Sequence, residues 1–189
     1  LKTYRRGLAL LASIPEGAGQ VDLEMARAML HRGLGEVIAV RGDAPAGVAE
    51  LRRSADLLER LFAANPGDYT VANELASVQG TLGDHLGGIG TGVMLDQRGT
   101  AKALERALEL NRIVVSLPGA PTDARLRAQR GLAVHQLKLG NFALVTNDNI
   151  QAADRYSRAA SALAQLPDSE LQKAENLRLK TAILKSQAE

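Results

Sequence analysis

The chain has 189 residues, which is enough for one or two ordinary domains or for a short array of repeats. Its 46% hydrophobic and 23% charged residues exclude a mostly disordered chain, and the absence of cysteine excludes disulfides and thiolate zinc sites. The 23 basic and 21 acidic residues are interspersed and aromatic residues are only 3%, which argues against nucleic-acid binding, while no apolar run is long enough for a membrane span.

The first predicted element is a helix over residues 1–15, which ends at a proline because proline bars its predecessor from the helical region. The same order of Tyr, Arg, a small residue, Leu-Ala and Pro returns in the segment that ends at Pro167. Two further helices end at Pro66 and Pro118. These prolines are about 50 residues apart, which indicates an array of repeats.

The helices that end at these prolines carry apolar residues at steps of three and four, so each has one apolar face. The positions are Tyr4, Gly7, Leu11 and Ile14; Leu51, Ala55, Leu58 and Phe62; Ala107, Leu110, Val114 and Leu117; and Tyr156, Ala159, Leu163 and Leu166. A first helix precedes each of the later three, with expected core positions at Leu23, Arg27, Leu30 and Leu34; Val71, Leu75, Val78 and Leu82; and Ala128, Leu132, His135 and Leu139. One pair cannot bury its own stripes, so we expect neighbouring pairs to stack.

The sequence therefore predicts an all-α, right-handed solenoid of stacked antiparallel helix pairs, with about eight helices in a single domain over residues 1–189. Its parts are the second helix of an incomplete pair at 1–15, full pairs at 22–66, 69–118 and 123–167, and a terminal helix at 169–187. One face of the terminal helix is expected to pack on the array. The helix then either caps the end of the array or lies in its groove. That face carries Leu171, Leu177, Leu179 and Ile183.

Small residues and turn residues recur in the two later pairs. They are Leu75-Ala76, Gly83-Asp84, Ala101, Ala107 and Pro118 in one pair, and Leu132-Ala133, Gly140-Asn141, Ala153, Ala159 and Pro167 in the next. This pattern resembles the tetratricopeptide repeat family, from which the chain departs by its longer period and by His31, Gln79 and Gln136, which replace an aromatic residue. Such long units look like those of bacterial signalling proteins. The resemblance implies a superhelix whose first helices line a concave face where partners bind.

The extra length of each repeat falls after Gly35, Gly83 and Gly140, where we expect the first helices to end in turns. The stretch GGIGTG, residues 87–92, lies in the middle one of these turns. Closely spaced glycines can cradle a phosphate, but such a loop normally follows a strand, opens a helix and brings a lysine. We interpret the stretch as a connector, with a phosphate site as the alternative.

The three histidines, His31, His85 and His135, occupy different repeat positions and do not lie at metal-ligand spacing. We expect them to be structural. No serine has the surroundings of an activated nucleophile, and the one acid beside a histidine is Asp84, next to His85. The sequence predicts no catalytic residue, no metal and no cofactor.

The predicted binding surface is the part of the first helices that lies off their core positions. It comprises Met25, Met29, Arg32, Asn73, Ser77, Thr81, Arg127, Arg130, Val134 and Lys138. On one interpretation Arg127, Arg130 and Lys138 receive acidic groups of a peptide, and on the other they form an ordinary solvated helix face. The methionines offer an adaptable apolar contact.

The leading hypothesis is a non-catalytic protein-interaction scaffold that holds a peptide or partner domain on its concave face. It is expected to be cytoplasmic, with no nucleic acid or membrane as partner, and possible roles include the regulatory part of a bacterial signalling protein. The alternative is a helical nucleotide-binding or catalytic protein that uses the loop from Gly87 to Gly92. Self-association through the array ends is a further hypothesis. Because the chain begins with Leu1, we expect it to be part of a longer protein.

Overall fold

The computed structural model describes residues 1–15, 19–88 and 94–188, and every regular element in these ranges is an α-helix. The helices are α1 (Lys2–Ala12), α2 (Gln20–Val40), α3 (Ala44–Ala64), α4 (Tyr69–Leu86), α5 (Gln97–Ser116), α6 (Thr122–Val145), α7 (Asn149–Ala164), α8 (Asp168–Leu171) and α9 (Ala174–Ala188). The predicted all-α architecture is confirmed. None of the helices in these ranges combines the length and the apolar character needed to cross a membrane.

Successive helices pack in pairs, α2 on α3, α4 on α5 and α6 on α7, and each pair packs on the next. We call α2, α4 and α6 the A helices and α3, α5 and α7 the B helices. The A helices also contact one another in the order α2, α4, α6, which places them in one layer. The central helix α4 contacts α2, α3, α5 and α6, and ten of its 18 residues are buried.

The apolar stripes predicted from the sequence form the core where a helix has neighbours on both sides. Leu51, Leu58, Leu75 and Leu110 are fully buried, and the last three belong to one core that joins the first two pairs. The stripe of α1 is only half-buried, because this helix packs against α2 alone. Ile14, which the sequence placed on the same stripe, lies beyond the end of α1 and is exposed.

The A helices do not end at the glycines Gly35, Gly83 and Gly140, as the turn interpretation required. Each helix continues for several residues beyond its glycine, and all three glycines are buried. The reason is close packing, since a Cβ atom at Gly35 would lie 2.8 Å from the carbonyl oxygen of Gly47 and 2.9 Å from Leu51 Cγ. The extra length of the repeat therefore lengthens the A helices and does not lie in their turns alone.

The turns between A and B helices share two structural features. A residue with positive φ follows the A helix, namely Gly42 (98°), Gly88 (81°) and Asn147 (63°), and such left-handed residues commonly end helices. An aspartate then caps each B helix, because Asp43, Asp96 and Asp148 accept a hydrogen bond from the backbone N–H three residues later. These turns lie on the same side of the array as a consequence of the alternating helix direction.

The terminal segment differs from the single helix expected at 169–187. It forms the short α8 and then α9, and the Asn176 side chain donates a hydrogen bond to the Glu170 carbonyl oxygen across the break. Helix α9 packs on α7 and α6, in the position relative to this pair that the next A helix of an array would take, and so covers the end of the array. Ile183, Leu179 and Leu171 pack on this core as expected, whereas Leu177 is exposed on the opposite side.

Candidate functional site

The A helices carry the predicted binding residues, and the structure divides these residues into buried and accessible ones. Met25 and Met29 are half-buried and pack against the central core. Asn73, which we expected to be presented to a partner, is only 8% exposed because α4 is enclosed by its neighbours. Thr81 donates its hydroxyl hydrogen bond to the Ser77 carbonyl oxygen, so both residues contribute to a bond within α4.

Three neighbouring A helices meet at Glu74 of α4. One carboxylate oxygen of Glu74 lies 3.6 Å from an Arg32 nitrogen of α2, and the other lies 3.7 Å from an Arg127 nitrogen of α6. Both arginines were predicted from the sequence, whereas Glu74 was not. We call Arg32, Glu74 and Arg127 the A-face triad.

The other predicted cations are paired within the chain. Arg130 bonds to Glu175 of α9, and Lys138 donates hydrogen bonds to Asp84 Oδ2 at 2.6 Å and to the Gly80 carbonyl oxygen at 3.3 Å. These pairs join α6 to α9 and to α4. Their carboxylates already occupy the positions in which an acidic partner group was expected.

In the A-face triad two guanidinium groups share the one carboxylate of Glu74. Both arginine to Glu74 distances exceed 3.5 Å, which is long for a hydrogen bond. Arg32 has a second partner in Glu36, at 2.9 Å. Arg127 keeps 60% of its side-chain surface exposed, and within the described residues it makes no hydrogen bond. Its planar fork of donors is therefore available to another carboxylate.

Three polar side chains at equivalent positions of the A helices, His31, Gln79 and Gln136, contact polar side chains of B helices. His31 Nδ1 lies 2.6 Å from Glu50 Oε2, Gln79 donates to Glu59 at 3.4 Å, and Gln136 accepts from Arg155 at 3.2 Å. Each of these contacts joins an A helix to a B helix through polar groups. The expectation that His31 is structural agrees with this geometry.

His135 lies in the core with 6% of its surface exposed, and its Nδ1 is 2.9 Å from the Asn111 amide nitrogen. Burial lowers the pKa of His135 to about 3, and the nearby Lys138 adds to this effect. The ring is therefore neutral at physiological pH, and Nδ1 accepts the amide hydrogen bond. A neutral ring explains how a histidine fits a core position that is leucine or valine elsewhere in the array.

The glycine-rich stretch falls mostly outside the described residues, which include only Gly87 and Gly88 of it. These two glycines follow helix α4, whereas a phosphate loop normally follows a strand. The next helix, α5, has its N-terminus capped by the Asp96 carboxylate, which accepts a 2.8 Å hydrogen bond from the Gly99 N–H. A carboxylate at this position repels phosphate.

The acidic partners of the predicted cations, Glu74 and Asp84 of α4 and Glu175 of α9, were not predicted from the sequence. Glu74 and Asp84 follow Asn73 and Gly83 in the sequence, and neither carries a local signal for a partner on another helix. They are distant in sequence from Arg32, Arg127 and Lys138 and come close to them only when neighbouring helix pairs stack. A search for opposite charges at equivalent places in successive A helices is the signal that could have found them.

No three His, Asp or Glu side chains in the described part of the chain come close enough together to hold a metal ion. Comparison of the chain with models of protein families, with curated proteins and with solved structures gives no significant match.

Proposed function

We propose that the protein is a non-catalytic interaction scaffold of tetratricopeptide type whose A-helix surface binds an acidic segment of a partner protein. The observation that carries this proposal is the A-face triad, in which two arginines from flanking helices converge on the single carboxylate of Glu74. An incoming carboxylate gains a bidentate arginine contact without displacing a hydrogen bond of Arg127.

The helix array supports the proposal because it holds the triad on rigid elements. Arg32, Glu74 and Arg127 each lie within a helix, and each helix is fixed by its own B-helix partner. Because the scaffold side chains are already held in place, binding costs less conformational free energy on the scaffold side. Met25 and Met29 lie on the first A helix and supply apolar surface beside the polar one.

The test is fluorescence anisotropy with a labelled probe peptide, Gly-Glu-Leu-Glu-Leu-Glu-Gly, titrated with the protein. We expect saturable binding that Arg127→Glu weakens by about tenfold, since one charge-assisted contact contributes about 1.4 kcal/mol or more. Arg112→Glu makes the same charge change on an exposed B-helix residue and serves as the matched control. Binding that is absent from the wild type, or that the two variants weaken equally, refutes an acidic-peptide site at the triad.

A further inference from the structure

A second surface lies on the other side of the array, in the groove between helices α3 and α5. The groove has a volume of about 770 Å³. Its base is formed by Leu82 and Leu86 of α4 with Ala55 and Ala103 of the two walls, and little of these four side chains is exposed. We call this surface the B groove.

Carboxylates outnumber cations along the B groove, with five acidic and three basic side chains lining it. The acidic ones are Asp56 and Glu59 of α3, Asp96 at the start of α5, and Glu105 and Glu109 of α5. They lie on both walls. In the described part of the chain they do not gather into a group that could chelate a metal ion, so they act as separate points of negative charge.

Internal pairing leaves one of these carboxylates without a cation. Arg106 pairs with Glu59 and Glu109, Arg52 lies 3.7 Å from Asp96, and Arg155 of α7 pairs with Glu105. Asp56 is exposed and makes no ion pair with any described residue, and the same holds for Lys102 on the opposite wall. Asp56 is therefore the accessible carboxylate of the α3 wall.

We infer that the B groove binds a basic peptide segment in which lysine or arginine alternates with an aliphatic side chain. In an extended segment alternate side chains point to one face, so the aliphatic groups meet Leu82 and Leu86 at the base. The long basic side chains then reach sideways to the carboxylates of the walls while their stems cover the apolar surface. This site is separate from the A-face triad and does not depend on the acidic-peptide site proposed above.

The test uses the labelled peptide Gly-Lys-Leu-Lys-Leu-Lys-Gly in the same anisotropy assay. We expect saturable binding that weakens with added salt, because the contacts with the walls are ionic. Asp56→Lys is expected to raise the Kd at least about fivefold, and Lys102→Glu, which removes the exposed cation of the opposite wall, is expected to lower the Kd about threefold. Both positions are exposed, so both variants are expected to retain the wild-type circular dichroism spectrum and melting temperature.

Three outcomes overturn the inference. They are a lack of saturable binding to the wild type, an unchanged Kd in Asp56→Lys, and equal binding of the acidic peptide to the groove. Arg127→Glu is the matched control on the opposite surface and leaves the Kd of the basic peptide unchanged if the B groove is the site. Because each peptide is tested against both Arg127→Glu and Asp56→Lys, failure of one site is distinguishable from failure of the other.

Discussion

His135 is the residue whose chemistry the fold changes most. It belongs to α6 and contacts α4 and α5. A Cβ atom at Gly80 of α4 would collide with its ring, and the side-chain amide of Asn111 on α5 donates a hydrogen bond to its Nδ1. The absent side chain at Gly80 thus makes room for the ring. Burial, aided by Lys138, lowers the pKa of His135 to about 3, so the fold holds the ring in its neutral form.

This histidine should make the protein less stable in mild acid. In the unfolded chain a histidine has a pKa near 6.5, whereas the pKa of His135 in the folded protein is about 3. Between these two pH values the unfolded state binds a proton at this residue and the folded state does not. The free energy of unfolding should therefore fall with decreasing pH, by about 2 kcal/mol between pH 7 and pH 5 from His135. Urea unfolding of the wild type and of His135→Gln at both pH values measures this term.

The comparison isolates His135 because the two proteins are identical at every other position. His135→Gln is expected to have a lower stability at pH 7 and a shallower pH dependence than the wild type. An equal loss of stability in the two proteins between pH 7 and pH 5 contradicts a neutral, buried His135.

At the scale of the elements, ion pairs join B helices that are not adjacent along the chain. Arg106 of α5 binds Glu59 of α3 through two hydrogen bonds of 3.0 and 2.7 Å, and Arg155 of α7 binds Glu105 of α5. The hydrogen bonds that Arg106 donates to the Glu59 carboxylate raise the pKa of Arg106 above its already high ordinary value. Its guanidinium carbon also lies 5.7 Å from the centroid of the Phe62 ring. Each arginine thus fastens one helix pair to the preceding pair.

The pair of Arg106 and Glu59 should therefore stabilise the array measurably. A double-mutant cycle with Arg106→Ala and Glu59→Ala should give a coupling energy of about 1 kcal/mol, limited by solvent because the side chains are 26% and 36% exposed. The control cycle removes Arg158 and Asp154, which pair within α7 and are more exposed. Its expected coupling is below about 0.5 kcal/mol. Equal coupling energies in urea unfolding would show that the ion pair between helix pairs stabilises the protein no more than an exposed pair within one helix.

At the scale of the whole molecule, the two ends of the array contribute unequally. Helix α1 contains no buried residue and packs only on α2. Helix α9 buries Ile183 to 1% exposure and covers Leu163 and Leu166. The hydrophobic core is thus covered more completely at the α9 end of the array than at the α1 end.

Truncation at the two ends should show this difference. Removal of residues 168–189 should lower the free energy of unfolding by roughly 3 kcal/mol, since it exposes several aliphatic side chains of the core. Removal of residues 1–15 should lower it by about 1 kcal/mol or less, because it uncovers only half-buried contacts such as Leu30. Urea titrations followed by circular dichroism measure both values. The reverse order of stabilities would contradict the role of α9 as a cap.

The helices could be predicted from the sequence because their signals are local. The apolar steps of three and four in Leu51, Ala55, Leu58 and Phe62 match the helix period, and Pro66 follows the end of the helix. The role of the buried glycines could not be predicted. Gly35 has the appearance of a turn residue in sequence, and only its distance to α3 shows that it serves close packing inside a helix.

The sequence by itself determined that this chain folds into helix pairs in a repeated order, since periodicity, prolines and aspartate caps act within a few residues of each other. Only the tertiary structure decided which charges meet. Arg32 and Arg127 are far apart along the chain and reach Glu74 because stacking brings three A helices side by side. The B groove arises in the same way, from the separation of α3 and α5 over α4. Charge pairing acts over a few ångströms in space, and no sequence spacing specifies that distance before the pairs have stacked.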